Sequence, residues 1–490
     1  MSEKYPMQDV IVLIPGIMGS VLQKEGRDIW AISGQAIWNV ISDRNSSLEA
    51  LRVNQPDLSV SQIESYLERD PHALDEVGGG LRATKIMPDA HLIPGIWKID
   101  GYSNVRNTIL NHFDVTEGDL SDDRVANYFE FPYDWRLDNR IAAYRLKYLL
   151  EKRLYAWRVT TNASNAKFIF ICHSMGGLVA RYYLEVMQGW RESKRLITFG
   201  TPYRGSLNAL DYLVNGFKKA TLNFTDVVRT STSIYQLLPN YQSVKQITSE
   251  NSTDTRIVDL SIPNVDPARV NQAMDFHAQI ADAVEKNKAG KLESGLFRVD
   301  PIVGSNQPTH QSGILENGTV KMATTVLEPR FARLFDGDGT VPLLSAMPPE
   351  QIDSVSAAFF AETHSSIQNN KQVLEHVIKL LEFSQLEREE FSNQKSVMSA
   401  IRLKVDDLYL PEEPIRIQAS VNSSSPPPLQ LQIKRADGSE SKVIPFGTAD
   451  NNWQEIILEG LKPGLYRIAV GTVERLEMFN PVHDFFEVAG

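Results

Sequence analysis

The stretch Phe168-Ile-Phe-Ile-Cys-His-Ser-Met-Gly-Gly177 decides the fold. Phe168 to Ile171 are consecutive large apolar residues, the pattern of a strand buried on both faces. The run stops on a small polar knot, and two glycines follow it. A serine hydroxyl is a weak nucleophile until a base takes its proton and its Oγ is held exposed. A sharp strand-to-helix turn does the holding, and it needs small residues two places either side of the serine. Gly176 meets that need. Cys172 departs from the G-x-S-x-G pattern, but cysteine is small and unbranched. The reading is therefore a tolerated variant of a nucleophile turn carrying Ser174. An ordinary loop would not explain a helix that starts at once on Gly176 and Gly177.

Working outward, strand and helix patterns alternate. Residues 10–14 form a short β-branched run closed by Pro15-Gly16. Residues 128–135, 168–172, 196–199, 297–303 and 357–361 read as further strands. Residues 103–113, 141–157, 178–187 and 373–383 have helical spacing. Strands apolar on both faces, separated by helices, predict an α/β fold with a parallel sheet. The pattern loosens over residues 205–330, as in a cap or lid inserted in a core, and residues 23–100 read as a small subdomain. The catalytic unit is thus expected over residues 1–390. A polar, charged stretch near 384–398 marks a boundary. Beyond it the apolar period becomes two, with Asp437-Gly438 as a hairpin signal, and residues 396–490 predict an all-β, sandwich-like domain.

At 490 residues, 42% hydrophobic and 23% charged, the chain has the balance of a soluble globular protein. The net charge of −11 argues against a nucleic-acid partner, which calls for a basic surface. The single cysteine, Cys172, excludes an intrachain disulfide and fits a reducing compartment. The first residues lack the basic-then-apolar order of a secretory signal, and no run reaches membrane-span length. The expectation is a cytoplasmic protein, with room for peripheral contact at a membrane.

A nucleophilic serine needs an acid and then a histidine later in the chain. Five histidines follow Ser174. His277 falls in the cap, His310 comes too early, His376 falls inside a helix, and His483 falls in the β domain. His364 alone follows an apolar strand at the start of a loop, and is the expected base. The segment Phe335-Asp-Gly-Asp-Gly-Thr-Val-Pro342 offers Asp336 and Asp338 as the acid, and local pattern does not separate them. A calcium-loop reading of that segment lacks the further oxygen ligands at regular spacing. An oxyanion hole needs two backbone N–H groups. Met175, after the nucleophile, and Ile17, in the glycine-containing loop after the first strand, are the expected donors.

Taken together these motifs resemble the lecithin:cholesterol acyltransferase and lysosomal phospholipase A2 family of α/β-hydrolases. The resemblance rests on Val12-Leu-Ile-Pro-Gly16 with Gly19, Gly101-Tyr-Ser103, Pro132-Tyr-Asp-Trp-Arg136 and His173-Ser-Met-Gly176. It continues through Phe199-Gly-Thr-Pro-Tyr-Arg-Gly-Ser206, Ser231-Thr-Ser-Ile-Tyr-Gln-Leu-Leu-Pro239, Gly337-Asp-Gly-Thr-Val341 and His364. It implies an α/β-hydrolase fold, Ser174 as nucleophile, Asp338 as the triad acid, His364 as base, and Ile17 and Met175 as oxyanion donors. It also implies that glycine is dispensable at position 172. Asp134 and Arg136 are expected to form a structural ion pair. The disulfides of secreted members have no counterpart here, and the C-terminal β domain lies outside the resemblance.

The expected function is a serine esterase acting on acyl esters of lipids, as a phospholipase, lipase or O-acyltransferase, with no cofactor and no metal. An esterase for soluble esters and an inert scaffold are the competing readings. Trp30, Trp38, Ile41 and Trp97 in the 23–100 subdomain are candidates for transient membrane contact, against a reading in which they are core. The cap region 207–245 is apolar enough to be expected to line an acyl-chain tunnel. The β domain is expected to bind a protein partner or to position the catalytic domain, so that its removal spares turnover of soluble esters.

Overall fold

The computed structural model describes residues 4–31, 46–54, 58–69, 73–88, 91–93, 97–99, 101–219, 222–294, 297–334, 336–352, 357–385, 401–410, 412–421, 427–437, 439–448, 453–472 and 481–489. Its centre is a seven-stranded sheet. In chain order the strands are β1 (Val10–Ile14), β2 (Glu117–Gly118), β3 (Tyr128–Glu130), β4 (Phe168–His173), β5 (Ser193–Phe199), β6 (Arg298–Gly304) and β7 (Ala358–Phe360). Their order across the sheet is β7-β6-β5-β4-β1-β3-β2, and every pairing is parallel. The middle strands β1 and β4 are wholly buried, which explains their lack of apolar/polar alternation.

Helices join these strands. They include α1 (Ser103–His112), α2 (Asn139–Thr161), α3 (Gly176–Arg181), α4 (Pro267–Ser294) and α5 (Lys371–Ser384). Asp138 caps α2 by accepting from the Arg140 N–H, and Asn370 caps α5 from two amides. One expectation of length is corrected. Residues 128–135 form a strand only to Glu130, since Pro132 has no N–H to give a ladder. The helix after Ser174 turns into a π-helix over Tyr182–Val186. Such widened turns re-aim side chains; here Tyr182 stacks on Phe276 of α4 with centroids 5.5 Å apart.

The cap is more regular than its sequence suggests. It holds the long helix α4 and a four-stranded sheet of Gln242–Ile247, Ser252–Arg256, Ser312–Glu316 and Thr319–Ala323. The core strand β6 interrupts the 205–330 region, so the cap is two insertions rather than one. In the small subdomain Trp30 is 3% exposed and packs as a core residue against Trp135 and Phe224. Trp38, Ile41 and the side chain of Trp97 lie outside the described residues.

The C-terminal domain is a sandwich. One sheet has the order β8 (Ile401–Val405), β10 (Ile415–Val421), β14 (Trp453–Leu458), β13 (Gly447–Thr448). The other runs β9 (Leu408–Tyr409), β16 (Val482–Val488), β15 (Gly464–Thr472), β11 (Leu429–Arg435), β12 (Ser441–Pro445). Its core is separate from that of the main sheet and includes Ile401, Leu403, Ile417, Leu431, Val482 and Phe486. Among the described residues no helix is long and apolar enough to cross a membrane.

Candidate active site

Ser174 sits where β4, in the middle of the parallel sheet, turns into α3. Its φ is 51°, a left-handed value that costs a non-glycine residue energy and persists only where its surroundings enforce it. They do: the Ser174 N–H donates to the Phe199 carbonyl at 2.8 Å, and the Gly177 N–H donates to the Ser174 carbonyl at 3.0 Å. A Cβ on Gly176 would stand 2.3 Å from the Pro15 carbonyl oxygen, so only glycine fits two places after the serine. Cys172 is paired with Ile14 on one side and Thr198 on the other, and is fully buried. Burial pushes its thiol well up from the ordinary range, so it packs as a neutral small side chain.

The two loops beyond β6 and β7 reach the same point. His364 Nε2 lies 2.9 Å from Ser174 Oγ, and His364 Nδ1 lies 2.6 Å from Asp338 Oδ2. An ionised carboxylate only accepts, so Nδ1–H donates to Asp338 and the Nε2 lone pair faces the serine hydroxyl. The other oxygen of Asp338 accepts from the Thr340 and Val341 amides at 3.0 and 2.7 Å. The His364 N–H donates to the Asp338 carbonyl at 2.8 Å, which ties the two loops together. Gly200 lies beneath the pair, where a Cβ would be 2.7 Å from Asp338 Oδ2 and 2.9 Å from His364 Nδ1. Ser174, Asp338 and His364 are 3%, 1% and 5% exposed, so the hydroxyl lies deep. Asp336, the other candidate acid, points elsewhere and pairs with Arg402.

The loop after β1 is held from three sides. Tyr133 Oη donates to the Pro15 carbonyl at 3.1 Å, the Gly16 N–H donates to Tyr102 Oη at 2.8 Å, and Trp30 Nε1 donates to the Met18 carbonyl at 3.1 Å. Between these anchors, the N–H of Ile17 meets no acceptor among the described residues, and neither does that of Met175. Such free amides beside a nucleophile are suited to a developing negative charge.

Two members of this constellation lie in motifs that carry the resemblance, but their sequence context assigns them no role. His173 Nε2 is 3.0 Å from the His364 carbonyl, and His173 Nδ1 is 2.9 Å from Tyr102 Oη. Burial, aided by the nearby His364, pushes His173 down to about 3, so it is neutral. A carbonyl only accepts, which places the single ring proton on Nε2. Nδ1 then accepts from Tyr102 Oη, whose oxygen in turn accepts from Gly16. One continuous chain thus joins the β1 loop to the backbone of His364. Tyr102 and His173 are 71 residues apart, too far for a local pattern to pair them.

His277 and His376 lie on α4 and α5, as their helical settings suggest, and His310 bonds to Asn208. Asp134 and Arg136 form the expected ion pair at 2.6 Å. A cavity of about 580 Å³ opens beside Arg195 and Arg298, at the starts of β5 and β6 and so at the opposite end of the parallel strands from Ser174.

A serine on a strained turn after a central parallel strand, with histidine and aspartate arriving on later loops, is the arrangement of an α/β-hydrolase. Residues 115–299 match the family model for lecithin:cholesterol acyltransferase. Among solved structures it is similar to the propeptide form of the Bacillus licheniformis lipase BlEst2, with 13% identity over 97% of this chain and 74% of that one, at a TM-score of 0.33. The mature form of the same lipase aligns with 78% of this chain and 95% of its own, at 13% identity and a TM-score of 0.31. A CARDB domain from Pyrococcus furiosus aligns with 18% of this chain and 91% of its own, at 14% identity and a TM-score of 0.13. No curated protein matches the chain.

Proposed function

We propose that this protein is a serine esterase acting on acyl esters of lipids, with Ser174 as nucleophile, His364 as general base and Asp338 as the orienting acid. The observation that carries the reading is the unbroken chain from Ser174 Oγ through His364 to Asp338, at 2.9 and 2.6 Å. Ser174 Oγ attacks the ester carbonyl carbon while its proton passes to His364 Nε2. The carbonyl oxygen becomes an oxyanion facing the N–H groups of Ile17 and Met175. Collapse expels the alcohol, which takes the proton from His364, and leaves an acyl-serine. Water or a second alcohol then attacks that ester and gives its proton to His364, which passes it to Ser174 Oγ as the acyl product leaves. Water makes the protein a lipase or phospholipase; an alcohol makes it an O-acyltransferase. Asp338 steadies the imidazolium in both half-reactions. The match of residues 115–299 to the lecithin:cholesterol acyltransferase model supports lipid esters as the substrate class.

The test supplies phospholipid liposomes with a long-chain alcohol and counts fatty acid and new ester by mass spectrometry. Ser174→Ala is expected to remove at least about 10³-fold of the turnover. The ratio of products in the parent protein separates hydrolysis from transfer. Turnover of short-chain soluble esters with none on liposomes would move the reading to a soluble-ester esterase. Turnover that survives Ser174→Ala would end the proposal.

A further inference from the structure

The sandwich domain has its own core, yet it does not stand apart from the site. It touches both loops that carry the proposed acid and base, through different strands.

On the acid side, Arg402 of β8 pairs with Asp336, two residues before Asp338, at 2.5 Å. Gln307, just beyond β6, donates from Nε2 to the Ile401 carbonyl at 3.2 Å and accepts from the Leu403 N–H at 3.1 Å. Its own N–H donates to the Gly337 carbonyl at 2.9 Å. The Asp336-Gly-Asp338 turn is therefore held between β6 and β8.

On the histidine side, Glu362 precedes His364 by two residues and its side chain has no exposure. A buried carboxylate is costly unless its oxygens are satisfied. Glu362 accepts from the Thr363 N–H at 2.9 Å and from Asn370 Nδ2 at 2.8 Å. Its remaining partners come from β16: the His483 N–H at 3.2 Å and His483 Nδ1 at 3.1 Å. Thr363 Oγ1 returns a hydrogen bond to the His483 carbonyl at 3.0 Å. β8 and β16 bury Ile401, Leu403, Val482 and Phe486 in one sandwich core. Their spacing is set by that packing and not by the hydrolase sheet.

We propose that the C-terminal β-sandwich is a working part of the catalytic site, gripping the Asp338 and His364 loops from one rigid core, with Arg402, Glu362 and His483 as positioning residues. The proposal rests on the triad reading given above. Proton transfer demands hydrogen-bond distance at both ends of the imidazole, and a displacement of 1 Å can cost about 10²-fold in rate. On this proposal, loss of the domain lowers soluble-ester turnover, where the sequence reading expects it to be spared.

The test keeps the full chain and makes Arg402→Ala, Arg402→Lys, Glu362→Gln and His483→Ala. Each variant is assayed for kcat and KM on a short-chain p-nitrophenyl ester, for the rate at which a fluorophosphonate labels Ser174, and for thermal midpoint. The labelling rate needs no knowledge of the natural substrate. The expected result for Arg402→Ala and His483→Ala is a fall of about 10-fold or more in kcat and labelling rate, with KM unchanged and the fold retained. Arg402→Lys should recover part of the rate. If Glu362→Gln fails to fold, the two sandwich-side variants still decide. Parent-level kcat in both would overturn the proposal, and so would a rise in kcat, which would mark the domain as an inhibitory cover. A parent protein whose turnover and labelling survive Ser174→Ala removes the triad reading instead, and this proposal with it.

Discussion

At the scale of single residues, the site depends on side chains that do no chemistry themselves. Tyr102 joins the Gly16 amide to His173 Nδ1, and His173 passes the constraint to the His364 carbonyl. Tyr102→Phe keeps the ring and removes the link. It strands a buried amide and a buried ring nitrogen, at a cost of about 1–3 kcal/mol. Because the β1 loop also carries the free Ile17 amide, kcat on a soluble ester should fall about 10-fold while KM holds. Steady-state kinetics with a denaturant titration checks both effects. A loss of stability alone, with kcat intact, would leave the tyrosine as packing. Gly101-Tyr-Ser103 belongs to the family resemblance, but no local pattern reveals this relay. Local pattern leaves Asp336 and Asp338 unseparated for the same reason, and only the resemblance favours Asp338: both sit in one polar turn, and the difference lies in which partner each meets across the fold.

At the scale of elements, the cap helix α4 locks onto the short helix Thr232–Gln236 through His277, whose Nε2 donates to the Gln236 carbonyl at 2.8 Å. Burial pushes His277 down to about 4, with the Arg140 guanidinium acting in the same direction and the hydrogen bond opposing it. The unfolded chain therefore takes up this proton first. The stabilisation is complete above about pH 6.5 and is lost progressively as pH falls toward 4, up to a total of about 3 kcal/mol. His277→Gln keeps a donor for Gln236 and removes the proton site. Between pH 7 and 4.5 its thermal midpoint should drop a few degrees less than the parent's. Equal drops in scanning calorimetry would refute the assignment. His173, pushed down to about 3, adds the same sign and remains in both proteins.

At the scale of the whole molecule, Arg136 ties three regions into one body. Its guanidinium has no exposure and donates to Asp134 and to the carbonyls of Ala50, Leu51 and Gly78 in the small subdomain. Next to it, Ser233 of the cap donates to the Trp135 carbonyl at 2.5 Å. With a single, buried cysteine, packing and such polar nodes hold the small subdomain where a disulfide cannot. An ammonium is a point donor and cannot reproduce the planar fork. Arg136→Lys should lower stability by about 3–5 kcal/mol, seen as an early denaturant midpoint. A shift below 1 kcal/mol would show that the node is dispensable.

The sequence by itself determined the α/β class, the Ser174 turn, the position of His364 and the existence of a separate β domain. Those features are written in short windows: an apolar run, small residues at a tight turn, a change of period from 3.6 to 2. Strand and helix patterning acts over about ten residues, so it survives in a one-dimensional reading. Tertiary structure alone decided that Trp30 is core, that Tyr102 and His173 brace the β1 loop, and that the sandwich touches the loops around Asp338 and His364. Each of those depends on groups distant in the chain meeting in space. Hydrogen-bond partners at such range are selected by packing geometry, which no local periodicity encodes.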